Sequence, residues 1–241
     1  MKTTQDRFLD GRLTLRQPAR GFRAGLDAVM LAASVPAHAG DEVLELGVGV
    51  GTASLCLAAR VAGCLITGIE IDENLTRLAN ENAASNAMDG IVTFVAGDAM
   101  SPPRAFRRAF DHVFCNPPFH DERSRSSPDA SRARALQGDL KQWLKAGLKR
   151  TGPKATFTAI LRADRLNEAL AALPDTGIAI LPLWPKHNEA AKRIIIQCRA
   201  GSRAPLALLP GLTLHENGQY TPEADAILRG RASLAPYFGG L

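Results

Sequence analysis

Short apolar runs alternate with amphipathic segments along most of the chain. The runs predict strands, and the segments with apolar residues three or four apart predict helices. This alternation favours an α/β fold, a Rossmann-like doubly wound sheet of seven strands. The strands are expected near 42–46, 65–71, 91–96, 110–115, 154–161, 177–183 and 193–199, and the helices at 26–35, 51–62, 73–86, 133–149 and 163–173.

The two ends of the chain carry further signals. Residues 12–17 alternate between polar and apolar side chains, which predicts a short β-ribbon within residues 1–25, preceding a catalytic core over 26–241 in a single domain of 241 residues. A loop, 184–192, joins the last two predicted strands instead of a helix. This indicates a hairpin-like pair with a reversed strand at the sheet edge. Thr221-Pro222 predicts the start of a short terminal helix.

Leucines recur every four residues through 136–148, so the helix over 133–149 should face the core, and Trp143 should pack there instead of stacking on a base. The segment 116–132 between this helix and the preceding strand is long and polar. Such loops are usually functional or disordered, and we expect this one to be mobile until substrate orders it.

The strand over 110–115 ends abruptly at Asn116-Pro117-Pro118-Phe119, which we call the proline turn. Prolines cannot continue a central strand, so the chain must leave the sheet at this point. Ligands of open α/β sheets bind at such carboxyl ends. The Asn116 side-chain oxygen and the Pro117 carbonyl can each accept one N–H, and Phe119 can stack on a ring. The turn therefore suits a planar substrate with an –NH2 group, although a plain strand-ending turn is the simpler interpretation.

A glycine-rich segment, Gly47-Val48-Gly49-Val50-Gly51, follows the first strand of the core and opens a helix, and we call it the glycine turn. Its spacing differs from the Gly-x-Gly-x-x-Gly of NAD proteins. Glu70 ends the next strand 21 residues after Gly49, where nucleotide-binding units carry a ribose-binding carboxylate. Glu45, just before the turn, would repel a pyrophosphate but could accept hydrogen bonds from an ammonium. These features favour S-adenosylmethionine as the cofactor.

Asp98 follows the third strand and could accept a hydrogen bond from the cofactor's adenine amino group. Its simpler role is that of a turn residue. Its place in line with Glu45 and Glu70 favours the cofactor role. The neighbouring residues Ile71 and Ala99 complete the predicted cofactor contacts on these two strand ends.

The order of Glu45, the glycine turn, Glu70, Asp98 and the proline turn resembles the amino-methylating branch of class I S-adenosylmethionine-dependent methyltransferases. The flanking segments 22–28, 182–186, 192–195, 214–216 and 220–224 make the chain most similar to the bacterial tRNA-1(Val) adenine-N6-methyltransferase family. The resemblance implies cofactor contacts by Arg23, Asp27 and Asn116, and a catalytic role for Asn116, Pro117 and Phe119. It also implies an RNA substrate, most simply a tRNA anticodon loop.

Several alternatives keep the cofactor or the fold but change the reaction. Guanine-N2 methyltransferases of ribosomal RNA and glutamine-N5 methyltransferases of release factors also carry Asn-Pro-Pro followed by an aromatic residue. Both usually have an additional amino-terminal domain, for which the residues before Asp27 are too few. An NAD-dependent oxidoreductase is a more distant alternative, disfavoured by the glycine spacing and by Glu45. A non-catalytic RNA-binding protein is disfavoured by the intact Asn116.

The net charge of +5 is unevenly distributed. Residues 100–154 hold 12 Lys/Arg and 5 Asp/Glu, a balance of +7, whereas the rest holds 17 and 19, a balance of −2. This asymmetry beside the proline turn favours an anionic partner such as RNA. The predicted substrate-binding cations are Arg123, Arg125, Lys186, Lys192 and Arg193.

Composition sets the remaining expectations. Scattered cysteines at 56, 64, 115 and 198 fit neither a metal pattern nor a disulfide framework, so we expect reduced thiols and no metal. There is neither a long apolar run nor a signal-peptide pattern, which predicts a cytoplasmic enzyme without a membrane span.

Overall fold

A computed structural model describes residues 2–21, 23–118 and 139–239. The alternation of strands and helices that the sequence predicts is confirmed. The strands are β1 (Thr3–Phe8), β2 (Leu13–Pro18), β3 (Glu42–Leu46), β4 (Leu65–Glu70), β5 (Val92–Ala96), β6 (Phe110–Cys115), β7 (Thr151–Arg162), β8 (Ile178–Lys186), β9 (Arg193–Arg199), β10 (Ala207–Leu208), β11 (Leu212–Glu216) and β12 (Gln219–Tyr220). The helices are α1 (Leu26–Ser34), α2 (Thr52–Arg60), α3 (Glu73–Ser85), α4 (Leu140–Leu148), α5 (Leu166–Leu170) and α6 (Pro222–Leu228).

The main sheet has the order β5-β4-β3-β6-β7-β9-β8, extended by β11 and β12, with β10 also paired to β8. The strands β3 to β7 are parallel neighbours, while β9 runs antiparallel to both β7 and β8. The carboxyl ends of β3, β4, β5 and β6 therefore share one edge of the sheet. This edge carries the glycine turn and the described part of the proline turn, residues 116–118.

Two details of the predicted sheet are wrong. The described sheet has ten strands instead of seven, because three short strands follow β9. The reversed strand β9 lies inside the sheet, not at its edge. β8 lies beyond it, and β11 pairs with the other side of β8. The additional strands have two to five residues, and Pro205 and Pro210 interrupt the segment in which the first two begin, so no long apolar run marks them.

Two predicted helices are shorter in the structure. The helix expected over 163–173 is a 3-10 turn, Ala163–Arg165, followed by α5 over only Leu166–Leu170. Pro174 disfavours helical backbone at Leu173, so the helix could not extend through the end of the predicted range. Of the helix expected over 133–149, the structure describes α4 from Leu140, and residues 133–138 lie outside the described residues. So does most of the expected mobile loop 116–132.

Two other sequence predictions are confirmed. Trp143 is 8% exposed and packs within an apolar cluster of the core. Thr221 caps α6, because its Oγ1 accepts a hydrogen bond from the Ala224 N–H at 3.2 Å, and Pro222 occupies the first turn.

The core consists of two apolar clusters. One includes residues of α1, α2, the ribbon and α6, and the other includes residues of α4 and α5. Leu13 and Leu15 of β2 are fully buried, so one side of the β1–β2 ribbon is part of the core. Burying such a leucine contributes about 1.5–3 kcal/mol. The ribbon packs against α2 and α3, which places it next to the glycine turn.

No helix within the described ranges is long and apolar enough to cross a membrane.

Candidate functional site

A cavity of about 250 Å³ opens at the carboxyl ends of β3 and β6. Three segments surround it: the end of the ribbon with the start of α1, the glycine turn with the start of α2, and the residues that follow β4 and β6. The residues that line it are Gln17, Pro18, Arg20, Ala24, Ala28, Glu45, Gly47, Val48, Gly49, Val50, Thr52, Ala53, Asp72, Leu75 and Asn116.

The glycine turn bends tightly over the end of the sheet. Gly47, Gly49 and Gly51 all have positive φ, at +76°, +59° and +87°. A Cβ atom at Gly47 would lie 2.7 Å from the Trp143 ring, and one at Gly51 would lie 2.9 Å from the Phe94 ring. A Cβ at Gly49 would meet nothing within 4 Å. Packing therefore excludes side chains at the outer two positions, while Gly49 leaves open space for a ligand.

Glu45 lies at the base of the cavity and is 2% exposed. Its Oε2 accepts hydrogen bonds from the Ser54 N–H, at 3.1 Å, and from the Ser54 hydroxyl. Burial raises the pKa of Glu45 to about 8, despite these hydrogen bonds. A cationic group in the cavity would favour the ionised carboxylate, so the site fits the ammonium expected from the sequence.

Glu70 at the end of β4 is 8% exposed and supports the glycine turn. Its Oε2 accepts from the Gly49 N–H at 2.8 Å, and its Oε1 accepts from the Asp72 N–H at 3.1 Å. Burial raises the pKa of Glu70. The carboxylate lies directly behind the cavity wall, and Asp72, two residues later, lines the cavity. The ribose contact of Glu70 stays a prediction.

Two polar atoms that are buried at the cavity have no hydrogen-bond partner within the described ranges: Asn116 Oδ1 and Thr52 Oγ1. A buried polar atom without a partner costs about 1–3 kcal/mol, and a ligand in the cavity that donates to these two atoms would remove that cost. Pro117, next to Asn116, is buried. The other members of the predicted substrate contact, Phe119, Arg123 and Arg125, lie outside the described residues.

The predicted adenine contacts lie at the same edge but outside the cavity lining. Asp98 is exposed, and its Oδ1 accepts from the Met100 N–H at 2.8 Å, as expected of a turn residue. Ala99 is buried and Ile71 is 44% exposed. An exposed Ile71 next to Asp72 offers an apolar surface to a ring, and its cofactor role stays a prediction.

Arg23 and Asp27 form contacts with other parts of the protein. The Arg23 guanidinium donates to Asp6, to the Thr4 hydroxyl at 2.5 Å and to the Pro18 carbonyl at 3.0 Å, and so fastens the ribbon. Asp27 accepts from Arg193 Nε at 2.8 Å. The structure thus joins a residue predicted to bind the cofactor with one predicted to bind the substrate.

The other predicted substrate cations lie at the β8–β9 end of the sheet. Lys186 is exposed and forms an ion pair with Glu189 at 3.5 Å. Lys192 is exposed, and its carbonyl accepts from the Ala163 N–H at 3.1 Å. Neither residue lines the cavity.

The ribbon contributes to the cavity in a way that the sequence does not predict. Gln17 and Pro18 form part of its wall, and the exposed Arg20 lies at its border. Gln17 is 2% exposed and exchanges two hydrogen bonds with the backbone of Ala24, at 2.8 and 3.2 Å. The alternating pattern of 12–17 located the ribbon, but no local signal shows which distant segment it will face.

The described residues contain no group of three or more His, Cys, Asp or Glu that could hold a metal ion. All four cysteines are free thiols and buried.

Residues 24–135 match the methyltransferase small domain family. The chain is similar to the tRNA1(Val) (adenine(37)-N6)-methyltransferase of Glaesserella parasuis serovar 5, with 27% identity over 84% of this chain and 86% of that one. It is also similar to the protein of the same name from Shewanella baltica (strain OS155), with 26% identity over 87% of this chain and 91% of that one.

Among solved structures, the fold is similar to that of a predicted O-methyltransferase, protein Atu636 from Agrobacterium tumefaciens. The TM-score is 0.72 with 24% identity, and the similarity covers 86% of this chain and 97% of that chain.

Proposed function

We propose that this chain, a class I S-adenosylmethionine-dependent methyltransferase, methylates N6 of an unpaired adenine in a tRNA anticodon loop. The observation that carries this proposal is the unpartnered Asn116 Oδ1, buried at the cavity that Glu45 and the glycine turn also line. The relatives named as tRNA adenine-N6-methyltransferases, which align with more than four fifths of the chain, support the choice of substrate.

The residues of the cavity fit the cofactor. Glu45 would hold the ammonium group in the amino-acid part of the cofactor. The open space in front of Gly49 would admit the part of the cofactor that lies against the backbone of the glycine turn. The unpartnered Thr52 hydroxyl would gain a partner there. Glu70 would bind the ribose hydroxyls with the lone pairs that its contacts to Gly49 and Asp72 leave. When bound, S-adenosylmethionine supplies an electrophilic methyl group on a sulfonium.

Asn116 would orient the adenine amine that accepts the methyl group. Its Oδ1 accepts one N–H of the adenine amine, and the Pro117 carbonyl accepts the other. These contacts pull the nitrogen towards tetrahedral geometry and direct its lone pair, which is otherwise delocalised into the ring. Orientation of this kind can supply several kcal/mol, so no strong base is needed before the bond forms. A hydroxyl group that accepted the methyl would have only one hydrogen to donate. The pair of hydrogen-bond acceptors therefore favours a substrate with an –NH2 group.

Phe119 would hold the base by stacking, which contributes roughly 1–3 kcal/mol. The exocyclic amine of adenine cannot reach a buried site from within a duplex, so the base must be unpaired or flipped. Anticodon loops present unstacked bases and therefore suit this site. Guanine-N2 and glutamine-N5 amines have the same –NH2 chemistry and remain the alternative acceptors.

The proposal is tested by incubating the protein with radiolabelled S-adenosylmethionine and, separately, unmodified tRNA, ribosomal RNA and a protein extract. Chromatography of the nucleosides should show N6-methyladenosine in tRNA with the wild type and none with Asn116→Ala. Label in N2-methylguanosine or in glutamine would overturn the substrate but keep the chemistry. Binding of NADH without any binding of S-adenosylhomocysteine would overturn the cofactor as well.

A further inference from the structure

We infer that Asn82 of α3 is a positioning residue that fixes the ribbon and the glycine turn relative to each other. These two segments form two walls of the cavity, one through Gln17 and Pro18 and the other through residues 47–50. The inference rests on the proposed cofactor binding in this cavity. Asn82 does not line the cavity itself, so it would act through the segments that it holds.

Asn82 is completely buried, with 0% exposure, and its amide binds Val50 of one wall and Arg16, the residue that precedes the other wall. Its Oδ1 accepts from the Arg16 N–H at 2.8 Å, and its Nδ2 donates to the Arg16 carbonyl at 3.0 Å. The same Nδ2 donates to the Val50 carbonyl at 2.9 Å. Both amide hydrogens and the oxygen are therefore used, one hydrogen for each wall.

Asn86, the residue that caps the C-terminus of α3 one turn later, binds the ribbon in the same way but does not bind the glycine turn. Its Oδ1 accepts from the Thr14 N–H at 3.0 Å, and its Nδ2 donates to the Thr14 carbonyl at 3.0 Å. Four residues of helix rise about 6 Å and two residues of strand rise about 6.8 Å, so the two amides match alternate residues of β2. The asparagines thus take the place of a neighbouring strand along the free edge of the ribbon.

Asn80 shows the same amide geometry toward the sheet. It accepts from the Phe94 N–H at 3.1 Å and donates to the Phe94 carbonyl at 2.9 Å. Three asparagines, two within α3 and one at its C-terminal cap, therefore each bind the backbone of one strand residue, but only Asn82 also binds the glycine turn. This difference provides two matched controls for the proposed coupling.

The position of Val50 explains why its carbonyl matters. Val50 lies between Gly49 and Gly51, which both adopt positive φ, and it lines the cavity. Its carbonyl points at a buried amide, so loss of that amide leaves a buried acceptor unpaired. The turn can satisfy this acceptor only by moving, and Gly49 moves with it. On the other wall, Arg16 directly precedes Gln17 and Pro18.

The experiment compares Asn82→Ala, Asn86→Ala and Asn80→Ala by calorimetric titration with S-adenosylhomocysteine and by thermal unfolding without ligand. Asn82→Ala should raise the Kd at least about tenfold, while the two control variants change it less than about threefold. The melting temperatures of all three variants should fall by comparable amounts. At saturating cofactor, kcat of Asn82→Ala should stay near the wild-type value, so that the loss appears in the KM for cofactor.

Equal Kd changes in all three variants, or an unchanged Kd in Asn82→Ala, would overturn the coupling. Binding of S-adenosylhomocysteine by the wild type would still leave the proposed function intact. Failure of the wild type to bind S-adenosylhomocysteine would overturn both. If Asn82→Ala does not fold, hydrogen exchange of the wild type decides. Cofactor binding should then slow exchange of the Arg16 amide more than that of Thr14, and equal slowing would contradict the inference.

Discussion

The two halves of the sheet edge that carries the site are built differently. On the β3–β4 side, the polar groups are buried and bound to backbone atoms: Glu45 to Ser54, Glu70 to Gly49, and Asn82 to Val50. On the β7–β9 side, the polar groups are partly or largely exposed ion pairs. They are Arg162 with Asp164, Arg165 with Glu168, Lys186 with Glu189, and Arg193 with Asp27.

The two kinds of contact differ in how firmly they hold a shape. A buried acceptor that loses its donor costs about 1–3 kcal/mol, whereas an exposed ion pair contributes about 0–1 kcal/mol. The first half can therefore hold a small ligand in one geometry. The cations of the second half can exchange their acidic partners for the phosphates of a larger ligand at little cost in free energy. The following experiments test this division of roles.

The largest effect is expected at Asn116, where the two halves meet. Asn116→Ala should reduce methyl transfer at least about a hundredfold, because the acceptor amine loses its orientation. The affinity for S-adenosylhomocysteine should change only a few-fold, since most of the cavity lining comes from the other segments. Single-turnover rates and calorimetric titration measure the two quantities. Loss of cofactor binding by this variant would contradict the assigned role.

The glycine turn should separate stability from binding. Gly51→Ala should lower the free energy of unfolding by about 2–4 kcal/mol, because its methyl would meet Phe94 at 2.9 Å. Gly49→Ala should lower it by only about 1–2 kcal/mol, the usual cost of a left-handed alanine. Its methyl would enter the ligand space, so cofactor affinity should fall at least about tenfold. Urea denaturation measures the stability of the two variants, and calorimetry measures their cofactor affinity. Equal losses of stability and of affinity in both variants would contradict this prediction.

Glu70→Ala should weaken cofactor binding by about tenfold. The variant removes the predicted ribose acceptor and also leaves the Gly49 and Asp72 N–H groups without their partner. Glu70→Gln keeps one acceptor oxygen at nearly the same size and should lose less affinity. Calorimetric titration of both variants tests this order. An unchanged affinity in Glu70→Ala would show that the carboxylate contributes nothing to the bound state.

These buried groups also show how far the sequence alone leads. The strands, the glycine turn and the acidic residues after the strands could be predicted, because each depends on local spacing and on the rule that ligands bind at the carboxyl ends of parallel strands. Glu45, Gly49 and Asn116 accordingly all line one cavity.

The contacts between distant segments could not be predicted in this way. Asn82 reads as one polar residue among several in α3, and nothing local indicates that it faces Arg16 and Val50. The sequence predicts Arg23 as a cofactor contact and Arg193 as a substrate contact, but it does not reveal the acidic partner that each has in the fold. Such partners are set by packing of the ribbon and of β9, which a single sequence does not reveal.

Glu45 should make cofactor binding depend on pH. Because burial raises the folded-state pKa from 4.5 to about 8, the carboxyl stabilises the ligand-free fold most below pH 4.5, and this contribution is lost as the pH rises towards 8. An ammonium beside Glu45 would ionise it, so binding should release a proton and tighten by up to about tenfold per unit between pH 6 and 7.5. Calorimetry in buffers of different ionisation enthalpy measures that proton. Glu45→Gln should abolish its release, and equal release by both proteins would contradict the assignment.

The smallest effect is expected at the β8–β9 end. Lys192 is exposed, and among the described residues it forms no ion pair, unlike Arg193, which Asp27 binds. Lys192→Ala should therefore weaken tRNA binding by a few-fold and reduce the salt slope by about one, the behaviour of a phosphate contact. Lys149→Ala is the matched control, because Lys149 is an exposed lysine between α4 and the amino end of β7, opposite the site edge, and it should change neither. Filter binding at several salt concentrations measures both. Equal slopes for the two variants would place the RNA elsewhere and leave the β7–β9 ion pairs as simple surface charges.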